Sequence, residues 1–347
     1  MSVRHQTTGI PLSTGENLTW KTGQIIAFVV TGIVVAGLFL LPELTLKVVW
    51  FAVVPILPAS FLVNTGLWRA LCPLASTNMI PNKGKGALLT GKWIQWATIV
   101  GILLLVILVP LRRILLNQNG PALAITLVAI VLLAFILGYF VQSKGGFCNS
   151  ICPVLPVEKL YGQSPLVFVR NPRCVPCTLC TSKGCIDIDP ASSIRHAMGA
   201  STPPGKFLLT PFGLFAAAFP GFIYAYFQLE DGPLAAASQT YSTVLLYAGI
   251  SLILVAAFTL LFKVSTRYLT PILGAASVGM YYWFASTASF EAFGLSGGVV
   301  LRWVMMLFIA FWLLKALKSS SESPTNGGNG IKKRSPSMVT QKRAVLL

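Results

Sequence analysis

Residues 121–141 read PALAITLVAIVLLAFILGYFV, twenty-one residues without a charge. At ~1.5 Å rise per residue such a helix crosses a ~30 Å hydrocarbon core, and it shows no polar stripe of the kind a surface helix carries. Runs of the same kind recur at about 23–41, 46–65, 93–111, 208–229, 241–262, 269–290 and 297–316. The whole chain of 347 residues agrees. It is 55% hydrophobic and 10% charged with mean hydropathy +0.75, where an ordinary soluble domain carries about 25% charged residues. The expected fold is an all-α polytopic membrane protein of about eight transmembrane helices. Trp20, Trp50, Trp68, Trp93 and Trp96 fall near the expected helix ends, as an interfacial aromatic belt would place them. Pro220-Gly221, inside the fifth run, is expected to kink that helix.

Charge sets the orientation. Lys and Arg number 26 against nine Asp and Glu, a formal net charge of +17. In a soluble domain that excess would point to nucleic acid. Here the bases gather in loops between apolar runs, so membrane topology accounts for them and no nucleic-acid partner is expected. Counted by loop, 22 bases lie on one side, three (Lys47, Arg112, Arg113) on the other, and Arg302 inside a span. The positive-inside rule then puts both termini in the cytoplasm of a multi-pass inner-membrane protein. Only two histidines occur, His5 and His196, neither in a span. A bis-His haem within the bilayer is excluded.

The seven cysteines are Cys72, Cys148, Cys152, Cys174, Cys177, Cys180 and Cys185, six of them in the loop between the fourth and fifth spans. An odd number at close spacing argues against a disulfide framework. Arg173-Cys174-Val-Pro-Cys177-Thr-Leu-Cys180-Thr-Ser-Lys-Gly-Cys185 has the spacing C-x2-C-x2-C-x4-C. Thiolates at successive x2 intervals let a short loop wrap corners of an iron–sulfur cube, its backbone N–H groups facing the sulfides. Structural zinc, which normally separates its ligand pairs by a longer stretch, and a redox thiol pair are the alternatives. The preferred reading is one [4Fe–4S] cluster on Cys174, Cys177, Cys180 and Cys185; the other ligand scheme completes the cluster with a remote Cys-Pro thiol, Cys152 or Cys72. Upstream, Gly145-Gly-Phe-Cys148-Asn-Ser-Ile-Cys152-Pro153 follows the fourth span, and Trp68-Arg69-Ala-Leu-Cys72-Pro73 follows the second. At helical spacing Cys148 and Cys152 share a face. Cys72, Cys148 and Cys152 form a candidate second centre or a set of redox thiols at the membrane edge.

A C-x3-C-P motif at a helix end, followed by a ferredoxin-type cysteine run, resembles the membrane-bound 4Fe-4S polyferredoxins. These include the NapH-type protein of periplasmic nitrate reduction, the NosR-type protein of nitrous oxide respiration and the oxidase-assembly ferredoxins. The resemblance covers about residues 46–190. It implies that Cys148 and Cys152 fill the second C-x3-C-P motif and that Cys174, Cys177 and Cys180 are ferredoxin-type ligands. The chain departs from the pattern in three ways. Trp68 stands where the partner of Cys72 belongs, there is one ferredoxin run instead of two, and the last four helices have no counterpart.

The expected organisation is a cytoplasmic tail (1–22), helices 1–4 (23–141), a cytoplasmic iron–sulfur segment (142–207), helices 5–8 (208–316) and a disordered basic cytoplasmic tail (317–347). No acid, base or nucleophile set stands out, so the expectation is an electron-transfer component and not a stand-alone enzyme. It would pass single electrons between a cytoplasmic or quinone-side donor and a membrane redox partner. A cytoplasmic cluster alone cannot move charge across ~30 Å of hydrocarbon. A bound quinone, or a centre on Cys72, Cys148 and Cys152, would be the further carrier. Two other classes fit the same residues. One is an iron–sulfur assembly or regulatory membrane subunit. The other is a redox-sensing transporter, weakened by the shortage of intramembrane charge. The near-match Gly86-Ala-Leu-Leu-Thr-Gly91-Lys92 to a phosphate loop fails, because Trp93 replaces the magnesium-holding hydroxyl. Arg302, a turn inside the last span, is expected to snorkel to the interface.

Overall fold

The computed structural model describes residues 14–81, 87, 92–141, 143–167 and 203–322. These residues are overwhelmingly helical, and the one β-type pairing among them is an isolated Ala87–Val141 bridge. The helices are α1 (Thr14–Leu40), α2 (Pro42–Val48), α3 (Val54–Leu71), α4 (Pro73–Met79), α5 (Lys92–Leu111), α6 (Gly120–Phe140), α7 (Leu155–Tyr161), α8 (Pro204–Leu208), α9 (Pro211–Gln228), α10 (Ala237–Leu261), α11 (Thr266–Ala292) and α12 (Gly298–Glu322). π-helical turns continue α2 into α3 (Val49–Val53) and extend α5 (Arg112–Leu116).

Local chemistry sets the ends. Asn119 caps α6 by accepting the Ala122 N–H at 2.9 Å, and Thr210 caps α9 by accepting that of Gly213 at 3.0 Å. Prolines occupy the first turns of both helices, where the missing N–H costs nothing.

Among the described residues six helical segments are long and apolar enough to cross a membrane: Leu18–Leu40, Pro42–Leu71, Gln95–Leu116, Gly120–Phe140, Leu234–Leu261 and Gly298–Lys318. A multi-pass membrane protein follows. α9 and α11 stand where the fifth and seventh spans are expected, but Pro, Gly, Tyr, Ser and Thr dilute their apolar content. They are also the most enclosed of the long helices. Phe215, Phe219 and Phe222 of α9 and Leu273, Val278 and Tyr282 of α11 are buried in the main core with Trp312 of α12. A helix wrapped by other helices needs no lipid-facing apolar surface, so packing replaces hydropathy there.

α9 runs through Pro220 without a break. α10 lies so close that a Cβ on Gly221 would sit 2.1 Å from the Tyr247 carbonyl oxygen, and Ser251 of α10 donates at 2.8 Å to the Ala217 carbonyl. The neighbouring helix thus supplies a donor one residue from Ala216, whose carbonyl the proline leaves without its i+4 N–H. In α3 the Tyr282 hydroxyl is inserted into the ladder: it donates to the Pro55 carbonyl and accepts the Ala59 N–H at 2.9 Å.

The tryptophans divide into two groups. Trp93 and Trp96 are exposed at the start of α5, as a belt requires. Trp50 instead lies 4.1 Å beneath the Arg112 guanidinium, and Trp68 packs edge-on against Phe61. Arg302 does not reach out alone: it donates to Thr287 at 2.9 Å and stacks on Trp283 at 4.8 Å, so α11 holds it.

Candidate functional site

α3 is interrupted at Asn64, whose backbone is extended (φ −171°, ψ 118°). The carbonyls this frees are taken by a returning segment. Leu166 N–H donates to Val63 at 2.9 Å, and Val167 N–H to the same carbonyl at 3.1 Å. Asn64 closes the gap with its own amide, accepting the Gly66 N–H at 2.6 Å and donating to the Val167 carbonyl at 2.7 Å. Irregular backbone at this depth is tolerated because each group finds a protein partner.

α3 then ends at Cys72, whose conformation (φ −54°, ψ 123°) is the extended one a following proline imposes. Cys72 N–H donates to Trp68 at 2.8 Å and its carbonyl accepts from Ser76 at 3.1 Å, so it closes α3 and opens α4. α4 folds back against α6. Asn78 is fully buried and donates to the Ala134 carbonyl at 2.8 Å, while a Cβ on Gly138 would lie 2.0 Å from the Asn78 carbonyl oxygen.

Between a short 3-10 turn at Ser143–Gly145 and the start of α7 the chain forms tight turns in place of an α-helix. Asn149 N–H reaches the Lys144 carbonyl at 2.9 Å, and Cys152 N–H the Phe147 carbonyl at 3.1 Å, both five residues back. Helical spacing at Cys148 and Cys152 is therefore replaced by wider loops. Both thiols nevertheless face one place. Cys72, Cys148 and Cys152 are buried free thiols in a single cluster with Ala75, Ala134, Phe147 and Leu155.

A buried ion pair braces this layer. Arg69 donates to Glu158 of α7 at 2.7 Å with both side chains 3% exposed, and also to the Cys148 carbonyl at 3.3 Å and the Asn149 side-chain oxygen. Lys144 and Lys159 are buried as well. Burial pushes all three thiols above their ordinary range. Cys148 is pushed up to about 12 against the opposing pull of Arg69, and Cys152 is raised further by the Glu158 charge as a second cause. Cys72 is raised mainly by burial. Such thiols are neutral and unreactive at pH 7 unless a cation replaces their protons.

Among the described residues no three His, Cys, Asp or Glu side chains are arranged to hold a metal ion. Cys72, Cys148 and Cys152 are gathered, but not as a preformed ligand set. Cys174, Cys177, Cys180 and Cys185 lie outside the described residues, as do residues 323–347 of the tail.

The residue sequence reasoning missed here is Arg69, tallied with Lys144 and Lys159 among the loop bases. A base one turn before a Cys-Pro was the available signal, but its partner Glu158 lies 89 residues on. No protein-family model, curated protein or solved structure matches the chain.

Proposed function

We propose that the chain is a membrane-bound iron–sulfur protein that passes single electrons between a cytoplasmic or quinol donor and a membrane redox partner. In this reading α9 and α11 also cross the bilayer, giving eight spans with both termini in the cytoplasm. One [4Fe–4S] cluster sits on Cys174, Cys177, Cys180 and Cys185, with backbone N–H groups and loop bases offsetting its negative charge. Cys72, Cys148 and Cys152 form a separate thiol layer at the membrane edge.

The observation that carries the reading is the convergence of the two Cys-Pro helix ends. Cys72 follows one spanning segment, and Cys148 and Cys152 follow another; all three are buried in one cluster braced by Arg69 and Glu158. Cysteines kept only for their small apolar volume would not be expected to collect from two helix ends.

The test is anaerobic purification of the full chain, followed by iron and sulfide analysis and EPR before and after dithionite. About four irons per chain and a reducible signal are expected. Zinc at one per chain, with no iron, overturns the proposal.

A further inference from the structure

A cavity of about 330 Å³ lies between the helices, in the size range of ligand sites. Its walls are apolar: Leu57 and Phe61 of α3, Leu105 and Leu108 of α5, and Phe222 and Ile223 of α9. It is elongated. Trp50 and Phe61, eleven positions apart on one helical segment, both line it, which at 1.5 Å per residue spans about 16 Å. α7 closes one side with Val154, Val157 and Tyr161.

The polar groups are concentrated around Trp50. Arg112 stacks its guanidinium 4.1 Å from the centre of the Trp50 ring and 5.6 Å from that of Tyr226. Its Nε donates to Asn117 at 2.7 Å, and Asn117 in turn donates to both carboxylate oxygens of Asp231. Asp231 itself is paired with the neighbouring Arg113 at 3.0 Å. Among the described residues no acidic side chain forms an ion pair with Arg112. Tyr226, 5% exposed, also lines the cavity, its buried hydroxyl on the Arg112 side of it.

A guanidinium held in an apolar cavity without a directly paired anion is costly. Arg112 stands four positions before the end of the Gln95–Leu116 span, about 6 Å along the helix. Arg112 thus lies near one end of the span, while the cavity runs inward from it.

We propose that this cavity binds one amphipathic molecule with an anionic oxygen head, a carboxylate or a phosphate, on Arg112 and Tyr226 and a hydrocarbon chain along the Leu57–Phe222 walls. The shared chemistry is that of a fatty acid or an anionic phospholipid. Nothing in it depends on iron in the cysteine loop. The planar fork of Arg112 matches either head bidentately, and Trp50 and Asn117 hold the fork in place.

The test uses the full chain in neutral detergent and native mass spectrometry. Oleate, palmitoyl-oleoyl-phosphatidylglycerol, the uncharged monoolein and decyl-ubiquinone are the probes. Oleate, phosphatidylglycerol or both should be retained one per chain, and monoolein at least about tenfold more weakly, as loss of a charge-assisted hydrogen bond implies. Retention of one or both anionic probes identifies the source. Arg112→Gln should cost about tenfold for the anionic probes with Arg112→Lys recovering part of it, and Tyr226→Phe should cost less. Leu108→Trp and Leu57→Trp, which fill the cavity, should abolish retention. If both fillers aggregate on gel filtration, the Arg112→Gln and Arg112→Lys comparison decides. No adduct on the wild type, an adduct that survives folded filler variants, or retention of monoolein or decyl-ubiquinone equal to oleate and indifferent to Arg112→Gln each overturns the proposal.

Discussion

Arg69 and Glu158, 89 residues apart in sequence, meet at 2.7 Å with only 3% of each side chain exposed, and the same guanidinium grips the Cys148 carbonyl. One contact therefore ties the end of α3 to both the loop after α6 and the start of α7. Removing either partner takes the direct counter-ion from a buried charge. Arg69→Ala or Glu158→Ala should each lower stability by about 3–5 kcal/mol, and the double variant by clearly less than the sum. SDS-driven unfolding in mixed micelles measures this; strictly additive losses would show that the two charges are not coupled.

The contact between α4 and α6 should be as intolerant. At Gly138 a methyl group would meet the Asn78 backbone at 2.0 Å, whereas at Gly249 nothing lies within 4 Å. Gly138→Ala should greatly reduce the folded fraction in gel filtration. Gly249→Ala, in the middle of α10, should be neutral or slightly stabilising, by up to about 1 kcal/mol. Equal behaviour of the two would contradict the packing.

Thiol labelling tests the buried layer. In the metal-free chain Cys72, Cys148 and Cys152 are buried with their thiols pushed upward, Cys148 to about 12 from an ordinary 9.0. Maleimide at pH 7 should spare all three until SDS is added. Raising the pH to 9 should not speed labelling of Cys148, because a thiolate population grows only as pH approaches its raised value. Labelling of Cys148 at the rate of a free cysteine peptide would place it on the surface.

The ligand assignment separates by mutation. Cys177→Ala should abolish the ~400 nm absorbance of an iron–sulfur cluster, since a central ligand of the run has no local replacement. Cys185→Ser should damage the EPR signal and Cys152→Ser should spare it. The reverse pattern would mean that a Cys-Pro thiol completes the cluster, as it does in two-cluster ferredoxins.

Reporter fusions after residues 120, 232 and 294 should read external, and those after 85, 190 and 340 internal, because the bases divide 22 to three. A cytoplasmic reading at 232 would leave α9 outside the set of crossing helices.

Hydropathy and charge are local sums, so the chain itself determined its membrane class. The first four apolar runs overlap α1, which begins nine residues earlier, the α2–α3 segment, α5 and α6, and the sixth and eighth overlap α10 and α12. The cysteine spacing that suggests iron is legible on the same terms. What a window average cannot hold is which side chains meet across it. The extended backbone at Asn64 exists because Leu166 and Val167 return to bond the freed carbonyl. Arg69 reads as a loop base and becomes a buried ion only when α7 folds under α3. α9 and α11 carry too much Pro, Gly and Tyr to register as lipid-facing, yet form the core, because close approach at residues such as Gly221 lets neighbouring helices enclose them. Cys72 joins Cys148 and Cys152 through the Arg69 bonds to the loop after α6 and through the α4–α6 contact at Gly138, where the lack of a side chain lets two backbones touch.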